Sequence, residues 1–408
     1  MATTVMDEPP LLRMRGFRNL FVARAVSELG SQVSYVALPL LAVTVLGAGA
    51  GEVGLLSALG TITVLALGLP AGAWVDRVRR RPVMIATDVA RAGVLLSVPV
   101  AWWAGSLSMG QLYAVAVLMG AGTLLFDVAS MSLVPGLVGR ERLTSANSLL
   151  VATGAGTDVA GRSTAGVLVQ LTGAPLAVLV DALSYLWSAA WLRGVPEPPV
   201  AASPAREPVR RQIVAGMRFL FGNAVLVAAL IQGTLANLAF PLCSVLLPVL
   251  LIGRLGYPEW VLGAYLAVGG LGALAGSSAA HAIGRRLGTG RATWLASLAT
   301  APASLLIPLL DRGPWLWAAA AGWFVLTFRT GVNNVLLTSL RQRVTPDDML
   351  GRMTATMRLL LMGAVGVGGL LAGALGEVWG VRSALWLGAV IMAVSWVPFL
   401  FSRLRHEP

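Results

Sequence analysis

Apolar residues run along this 408-residue chain in long blocks separated by short polar turns. A helix needs about 20 mainly apolar residues to cross roughly 30 Å of hydrocarbon. Blocks of that length fall at 18–46, 53–75, 82–104, 110–135, 145–171, 174–194, 223–252, 260–283, 291–310, 315–339, 350–378 and 381–401, which predicts an all-α membrane protein of twelve transmembrane helices. One stretch, 195–221, breaks the rhythm. It opens as a Pro/Ala/Arg-rich linker and continues from Val209 to Leu220 with basic and apolar residues at helical spacing, the pattern of a short amphipathic helix on the inner membrane surface. The expected division is therefore a six-helix bundle over 1–194, a cytoplasmic linker over 195–221 and a second six-helix bundle over 222–408.

The two halves repeat each other. Adding 207 carries Leu143 to Leu350, Gly156 to Gly363, Gly161 to Gly368, Gly166 to Gly373 and Gly173 to Gly380, so span 5 recurs as span 11. Adding 205 sets DRVRRR (76–81) against HAIGRR (281–286). A duplicated six-span unit follows, and membrane proteins built from such repeats hold their ligands near the midplane between the halves.

Composition agrees with a bilayer: 57% of residues are hydrophobic and 12% charged, with a mean hydropathy of +0.79, against about 25% charged in a soluble domain. The net charge of +12 is carried entirely by arginine, and its placement matters more than its size. With the N-terminus in the cytoplasm, the arginines outside the spans fall on the inner side, except Arg254, Arg312 and Arg382. The positive-inside rule then puts both termini in the cytoplasm of a multi-pass plasma-membrane protein and makes nucleic acid an unexpected partner. MATTVMDEPP lacks the basic n-region of a signal peptide, so the first span is expected to stay. A lone Cys243 and two distant histidines, His281 and His406, offer neither an intramolecular disulfide nor metal-ligand spacing, and no Ser–His–Asp set is suggested.

Family signatures sit in the loops. GAWVDRVRRR (72–81) resembles the Gly-x-x-x-Asp-Arg-x-x-Arg-Arg loop of the major facilitator superfamily, whose fold is two pseudo-symmetric six-helix bundles. FDVASMSLVPGLVGRERLTSANSL (126–149), VDALSYLWSA (180–189) and TPDDMLGRM (345–353) resemble its bacterial drug- and siderophore-export branch, the drug:proton antiporter-3 or transmembrane secretion effector type. Taken alone, the loop places Gly72 where helices can approach, Asp76 where it can cap a neighbouring helix, and Arg77, Arg80 and Arg81 at the anionic inner leaflet. The resemblance implies that Asp76 docks near Gly351 and latches the outward-facing state; a topogenic basic loop with no gating role is the alternative. Arg79 stands where the family usually has glycine, which questions the tightness of the turn.

Charges inside spans are costly enough to be paired, shielded or functional. Glu28, Asp88, Asp127, Asp158 and Asp181 lie in the first half, whereas the second half carries the buried bases Arg329 and Arg358, so opposite charges are expected to face each other between the halves. Asp158 and Arg162, four apart in span 5, read either as a static pair or as part of proton coupling. Arg162 replaces the proline of the family's Gly-Pro-x-x-Gly-Gly signature, while Gly156, Gly161 and Gly166 are expected to keep its close-packing face. In span 1, Arg24, Glu28, Gln32 and Tyr35 form one polar stripe, facing either an aqueous cavity or another helix.

The resemblance implies that spans 1, 4, 7 and 10 line the cavity, which ranks Glu28 and Asp127 as proton-coupling candidates, and Asp158, near the bilayer middle of span 5, is the third. Arg24, Gln32, Tyr35, Met131, Asn237, Phe240, Phe328, Arg329 and Asn333 are then candidate cavity residues. Phe324 joins Met131, Phe240 and Phe328 as an adaptable apolar surface for an amphiphile, with core packing the alternative. Asp88, Arg91 and Asp181, in peripheral spans 3 and 6, read better as structural hydrogen-bonding groups. The expectation is a cofactor-free, non-enzymatic transporter, functional as a monomer, that uses a proton gradient to export amphiphilic small molecules by alternating access. A siderophore or metabolite exporter and a proton-symport importer of the same fold are the alternatives.

Overall fold

The computed structural model describes residues 10–75, 77–139, 141–197 and 209–402. Among them are helices and turns but no strand. The first bundle comprises α1 (Arg15–Leu46), α2 (Ala50–Val75), α3 (Arg80–Trp103), α4 (Met109–Val138), α5 (Leu143–Thr172) and α6 (Ala174–Leu192). The amphipathic α7 (Val209–Gly222) follows. The second bundle is α8 (Ala224–Ser244), α9 (Glu259–Leu287), α10 (Thr289–Ser304), α11 (Pro314–Val344), α12 (Asp347–Val378) and α13 (Val381–Val394), closed by the short α14 (Val397–Leu400). Twelve long helices thus stand where the apolar blocks predicted them.

Ten of these helices, some with their flanking turns, are long and apolar enough to cross a membrane. The other two are α5 and α11. The first is rich in Gly, Ser and Thr and holds Asp158 and Arg162, and the second holds Arg329, Asn333, Asn334, Arg341 and Arg343. Both are covered by neighbours, α5 by α1 and α9 and α11 by α9 and α10, and Arg329 and Asn333 of α11 are buried.

Local chemistry sets the helix ends. Ser108 caps α4 by accepting from the Gln111 N–H, and Asn223 caps α8 by accepting from the Val225 and Leu226 N–H groups. Gly47 closes α1 in the left-handed region at φ 66°, a conformation that favours glycine. Arg79 precedes α3 at φ −67° and ψ 125°, so the turn accepts a side chain where the family motif has glycine.

Chain direction puts the α2–α3 loop, α7 and the α11–α12 turn at one end of the molecule, here termed the basic end, and the α1–α2 turn at the far end. The amphipathic α7 forms where the sequence pattern predicted it, with one face against protein and Val214, Met217 and Phe221 exposed. It packs along α12, where Gly216 lies so close to Arg352 and Thr356 that a Cβ would collide with them, and its Leu220 is fully buried. The Pro/Ala/Arg-rich part of the linker, 198–208, lies outside the described residues.

Candidate functional site

The two halves meet chiefly through α2 against α12 and α5 against α9. At the far end both seams are made of glycine. Gly54 of α2 abuts Gly373 of α12, and Gly166 of α5 abuts Gly263 of α9, with backbone so close that a Cβ at any of the four would collide or crowd the partner chain. One turn nearer the tip, each seam is capped at a helix N-terminus. Glu377 Oε2 accepts from the Gly51 N–H at 3.1 Å, and Gln170 Oε1 accepts from the Trp260 N–H at 3.4 Å. A carboxylate at the start of α2 also meets the positive end of that helix's dipole.

At the basic end the same helices diverge. A Cβ at Gly72, Gly156, Gly351 or Gly363 would meet nothing within 4 Å. The close contact expected at Gly72 is therefore absent in this arrangement, because α2 and α12 splay apart below the Gly54–Gly373 contact. Asp76 lies outside the described residues. The rest of its loop is tied to its own bundle: Arg81 Nη2 donates to the Arg193 carbonyl at 2.5 Å, and Arg79 pairs with Glu197 at 3.6 Å. Arg81 is thus held by protein rather than left for lipid headgroups as expected, while Arg77 is exposed and Arg80 half-buried.

Two connected cavities occupy the space between the halves. The inner one, about 350 Å3, lies under the glycine seams and is lined by α1, α2, α4 and α6 on one side and by the end of α8, α9 and α12 on the other. Its wall is mainly apolar, and Asp181 is the one carboxylate in it among the described residues. The second, about 380 Å3, opens between α2, α4 and α12 and carries Asp127 and Met131 on one wall and Arg352 and Arg358 on the other. Val64, Thr123 and Met362 line both, which makes them the neck between the two. A third cavity of about 240 Å3 lies within the second bundle and gathers Asn237, Phe240, Arg329 and Asn333.

The span 1 stripe divides. Arg24 Nε pairs with Glu28 Oε1 at 2.5 Å and its Nη2 lies 3.9 Å from Asp127 Oδ1, while the Gln32 side chain packs against Gly161 of α5. Only Tyr35, 48% exposed, lines one of the three cavities. Most of the stripe is therefore a helix contact, because α1 is clasped by α5 and α6 along its length. Gly156, Gly161 and Gly166 do not share a packing face as expected. Residues five apart on an α-helix are rotated by about 140°, so Gly161 meets α1, Gly166 meets α9 and Gly156 meets open space. The side chains of Asp158 and Arg162 lie outside the described residues, and the reading of them as a pair goes with them.

Opposite charges face each other at only one of the two expected places. Asp127 and Arg358 stand on facing walls of the second cavity. Arg329 instead turns into its own bundle, donating through Nη1 to the Met392 carbonyl at 2.9 Å and to Ser395 Oγ at 3.2 Å, and it is 2% exposed. Phe328 likewise packs with Ala280, Ala292, Val332 and Leu336 rather than into a cavity. Phe324 is partly exposed beside α9, and its carbonyl lies against Gly272.

A closed interface at one end, an open one at the other and a ligand-sized space between two repeated bundles is the geometry of a carrier. The sequence matches the Major Facilitator Superfamily over residues 20–368.

The chain belongs to the major facilitator superfamily.

Its relatives within that superfamily include the multidrug efflux pump Tap of Mycolicibacterium fortuitum, 28% identical, with 95% of this chain and 96% of that protein covered. Similar solved structures include a bacterial homologue of the iron transporter ferroportin in an inward-facing state, with a TM-score of 0.74 at 20% identity over 96% of this chain and 99% of that one. A bacterial homologue of the lysosomal transporter Spinster, inward-facing and occupied, aligns with a TM-score of 0.75 at 11% identity over 96% and 97%. The superfamily fold is common to all of them, and this chain is a membrane transporter of that fold.

Sequence reasoning ranked span 6 low because it is peripheral in this superfamily. Yet Asp181 reaches the inner cavity, because Gly30 of α1 leaves a niche where a Cβ would collide with Asp181 and Ser184. The readable signal was a glycine in span 1 with serines at 31 and 34 beside it, facing an acid in span 6.

Proposed function

We propose that this transporter exports amphiphilic small molecules from the cytoplasm in exchange for protons. The concentration of arginines at the basic end supports, by the positive-inside rule, a cytoplasmic location for that end and both termini, and on that reading the described arrangement is inward-facing. An amphiphile enters between α2, α4 and α12, passes the Val64–Thr123–Met362 neck and rests in the inner cavity under the glycine seams. The exchange then opens the seams at Gly54–Gly373 and Gly166–Gly263 and closes the basic end, where Asp76 latches against the start of α12.

The observation that carries the reading is the inner cavity: mostly apolar, bounded by both halves, sealed at one end and bordered by the buried Asp181, with the half-buried Asp127 in the second cavity that leads to it. Such a surface suits a ligand with a large apolar body and a few polar groups. The name of the related pump Tap points the same way. The test is dye transport in everted membrane vesicles. An acid interior should drive accumulation of an amphiphilic dye, and a protonophore should abolish it. Depletion of dye from the vesicles under the same gradient would make the carrier a symporter.

A further inference from the structure

The inner cavity borders a buried cluster in which, among the described residues, charge does not balance. Asp88 and Arg91 of α3 form an ion pair, and the Arg91 guanidinium lies over the rings of Phe126 at 4.8 Å and Tyr185 at 4.1 Å. Its aliphatic stem fits against Gly122, where a Cβ would crowd it. One face further on is Asp181, fully buried. Its partners among the described residues are hydroxyls: Ser34 Oγ donates to Oδ2 and Ser184 Oγ to Oδ1 at 3.1 Å. Tyr185 and Ser31 complete the set through a 2.7 Å hydrogen bond between their hydroxyls.

Two carboxylates therefore share one guanidinium, and Arg91 is already committed to Asp88. A buried ionised carboxylate without a counter-ion is costly, and a protein normally neutralises it. Here the missing positive charge has a way in. Ser31, Ser34, Asp181 and Tyr185 all border the inner cavity, Asp181 and Tyr185 fully buried at its wall so that a ligand reaches the carboxylate by displacing a serine hydroxyl, and the remaining wall is apolar or neutral, including Tyr35, Leu56, Leu262 and Met362. Desolvated aromatic and carboxylate groups together suit an organic cation.

We propose that Asp181 is the anionic anchor of the inner cavity for an amphiphilic cation, with a proton taking the cation's place when the cavity is empty. Ser34 and Ser184 orient the carboxylate, and Asp88 holds Arg91 away from it. The site rests on the export reading for its role in transport but not for its binding. It also moves the proton-responsive carboxylate from Glu28, Asp127 and Asp158 of spans 1, 4 and 5, the candidates from sequence, to span 6. Among the described residues, the titratable and charged groups facing Asp181 are Asp88 and Arg91 from α3 and Tyr185 from its own helix. Serine hydroxyls face it from α1, and Asp127 of α4 acts on Arg91 rather than on Asp181 directly.

The experiment uses tetraphenylphosphonium, whose permanent charge means that any pH dependence of binding comes from the protein. Binding to the purified full chain in detergent should weaken as pH falls. Asp181→Asn should lower affinity by about tenfold or more, as loss of one charge contact implies, and flatten the pH dependence, while Asp311→Asn, at the exposed pair with Arg382 and outside the three cavities, keeps both. Retention of wild-type affinity and pH dependence by a folded Asp181→Asn protein would overturn the assignment. Wild-type protein supplies a second test free of folding effects: tetraphenylphosphonium should protect Asp181 from dicyclohexylcarbodiimide labelling read by mass spectrometry, and unprotected labelling counts against the site. Dye export by wild-type vesicles is scored separately, so an anchor without driven export leaves the site standing and refutes the transport reading, and export without an anchor does the reverse.

Discussion

At the far end of the molecule the halves touch backbone to backbone through two glycine pairs, whereas at the basic end the same helices stand apart with a cavity of about 380 Å3 between them. The closed seams are symmetric, each a glycine pair in backbone contact with one side-chain cap beyond it. The open end is asymmetric and charged, with Asp127 facing Arg352 and Arg358 and the α2–α3 loop tied to α6. The difference shows what each end requires. A contact that must form tightly and break cleanly is made from small residues with little rotamer entropy to lose. A mouth that admits solute keeps polar groups that water can reach.

The glycine seams should give the largest effect. A Cβ at Gly54 or Gly166 runs into the backbone of the other half, and overpacking of this kind costs about 1–3 kcal/mol. Gly54→Val and Gly166→Val should each cut driven transport about tenfold or more and raise far-end labelling of a cysteine introduced at Tyr35. Normal transport with unchanged labelling would mean that the seams are not the closure. Asp76→Asn, which removes charge at nearly constant volume, probes the other end. It should slow transport severalfold without reducing expression, since the state closed at the basic end loses its latch. An unchanged ratio of basic-end to far-end labelling would remove Asp76 from that role.

Smaller effects come from the caps. Glu377→Gln keeps a hydrogen-bond acceptor for the Gly51 N–H but loses the charge at the α2 N-terminus, an interaction of about 0.3–1 kcal/mol. Far-end labelling should rise about twofold to fivefold, more than in Gln170→Ala, whose cap is neutral. The smallest effect is expected at the exposed Asp311–Arg382 pair on the same end. The Arg312 N–H, then Arg382, hold the Asp311 carboxyl below its ordinary value. Its contribution to stability is thus present above the unfolded-state value, near pH 4, and lost as pH falls through the depressed folded value. Asp311→Asn should remove that slight acid-dependent loss from thermal melts in detergent.

Much of this architecture was legible because bilayer length and gene duplication leave periodic traces. The 207-residue offset that aligned Gly166 with Gly373 also aligns Gln170 with Glu377, so both the seams and their caps were written in the repeat. The glycines were noticed, and the capping residues four places on were not. What escaped was orientation. Arg329 reads from sequence as a base in the cavity between the halves, but it borders a cavity inside its own bundle and bonds to Met392 of α13 and to Ser395, which caps that helix. Whether a helix turns a residue to the cavity or to its own bundle depends on rotations of a few tens of degrees that hydropathy does not fix when several faces are apolar. Asp181 was set aside for the same reason: its span is peripheral, but one face of it reaches the centre through the gap at Gly30.

The glycine seams also bear on leakage. A carrier driven by a gradient loses its driving force if a chain of hydrogen-bonded waters links the two sides, because protons hop along such a chain. Where Gly54 meets Gly373 and Gly166 meets Gly263, the main chains lie too close for even a methyl group, let alone a file of water. Insulation and motion are thus served by one feature: the contact that lets the halves part is dry while they stay together.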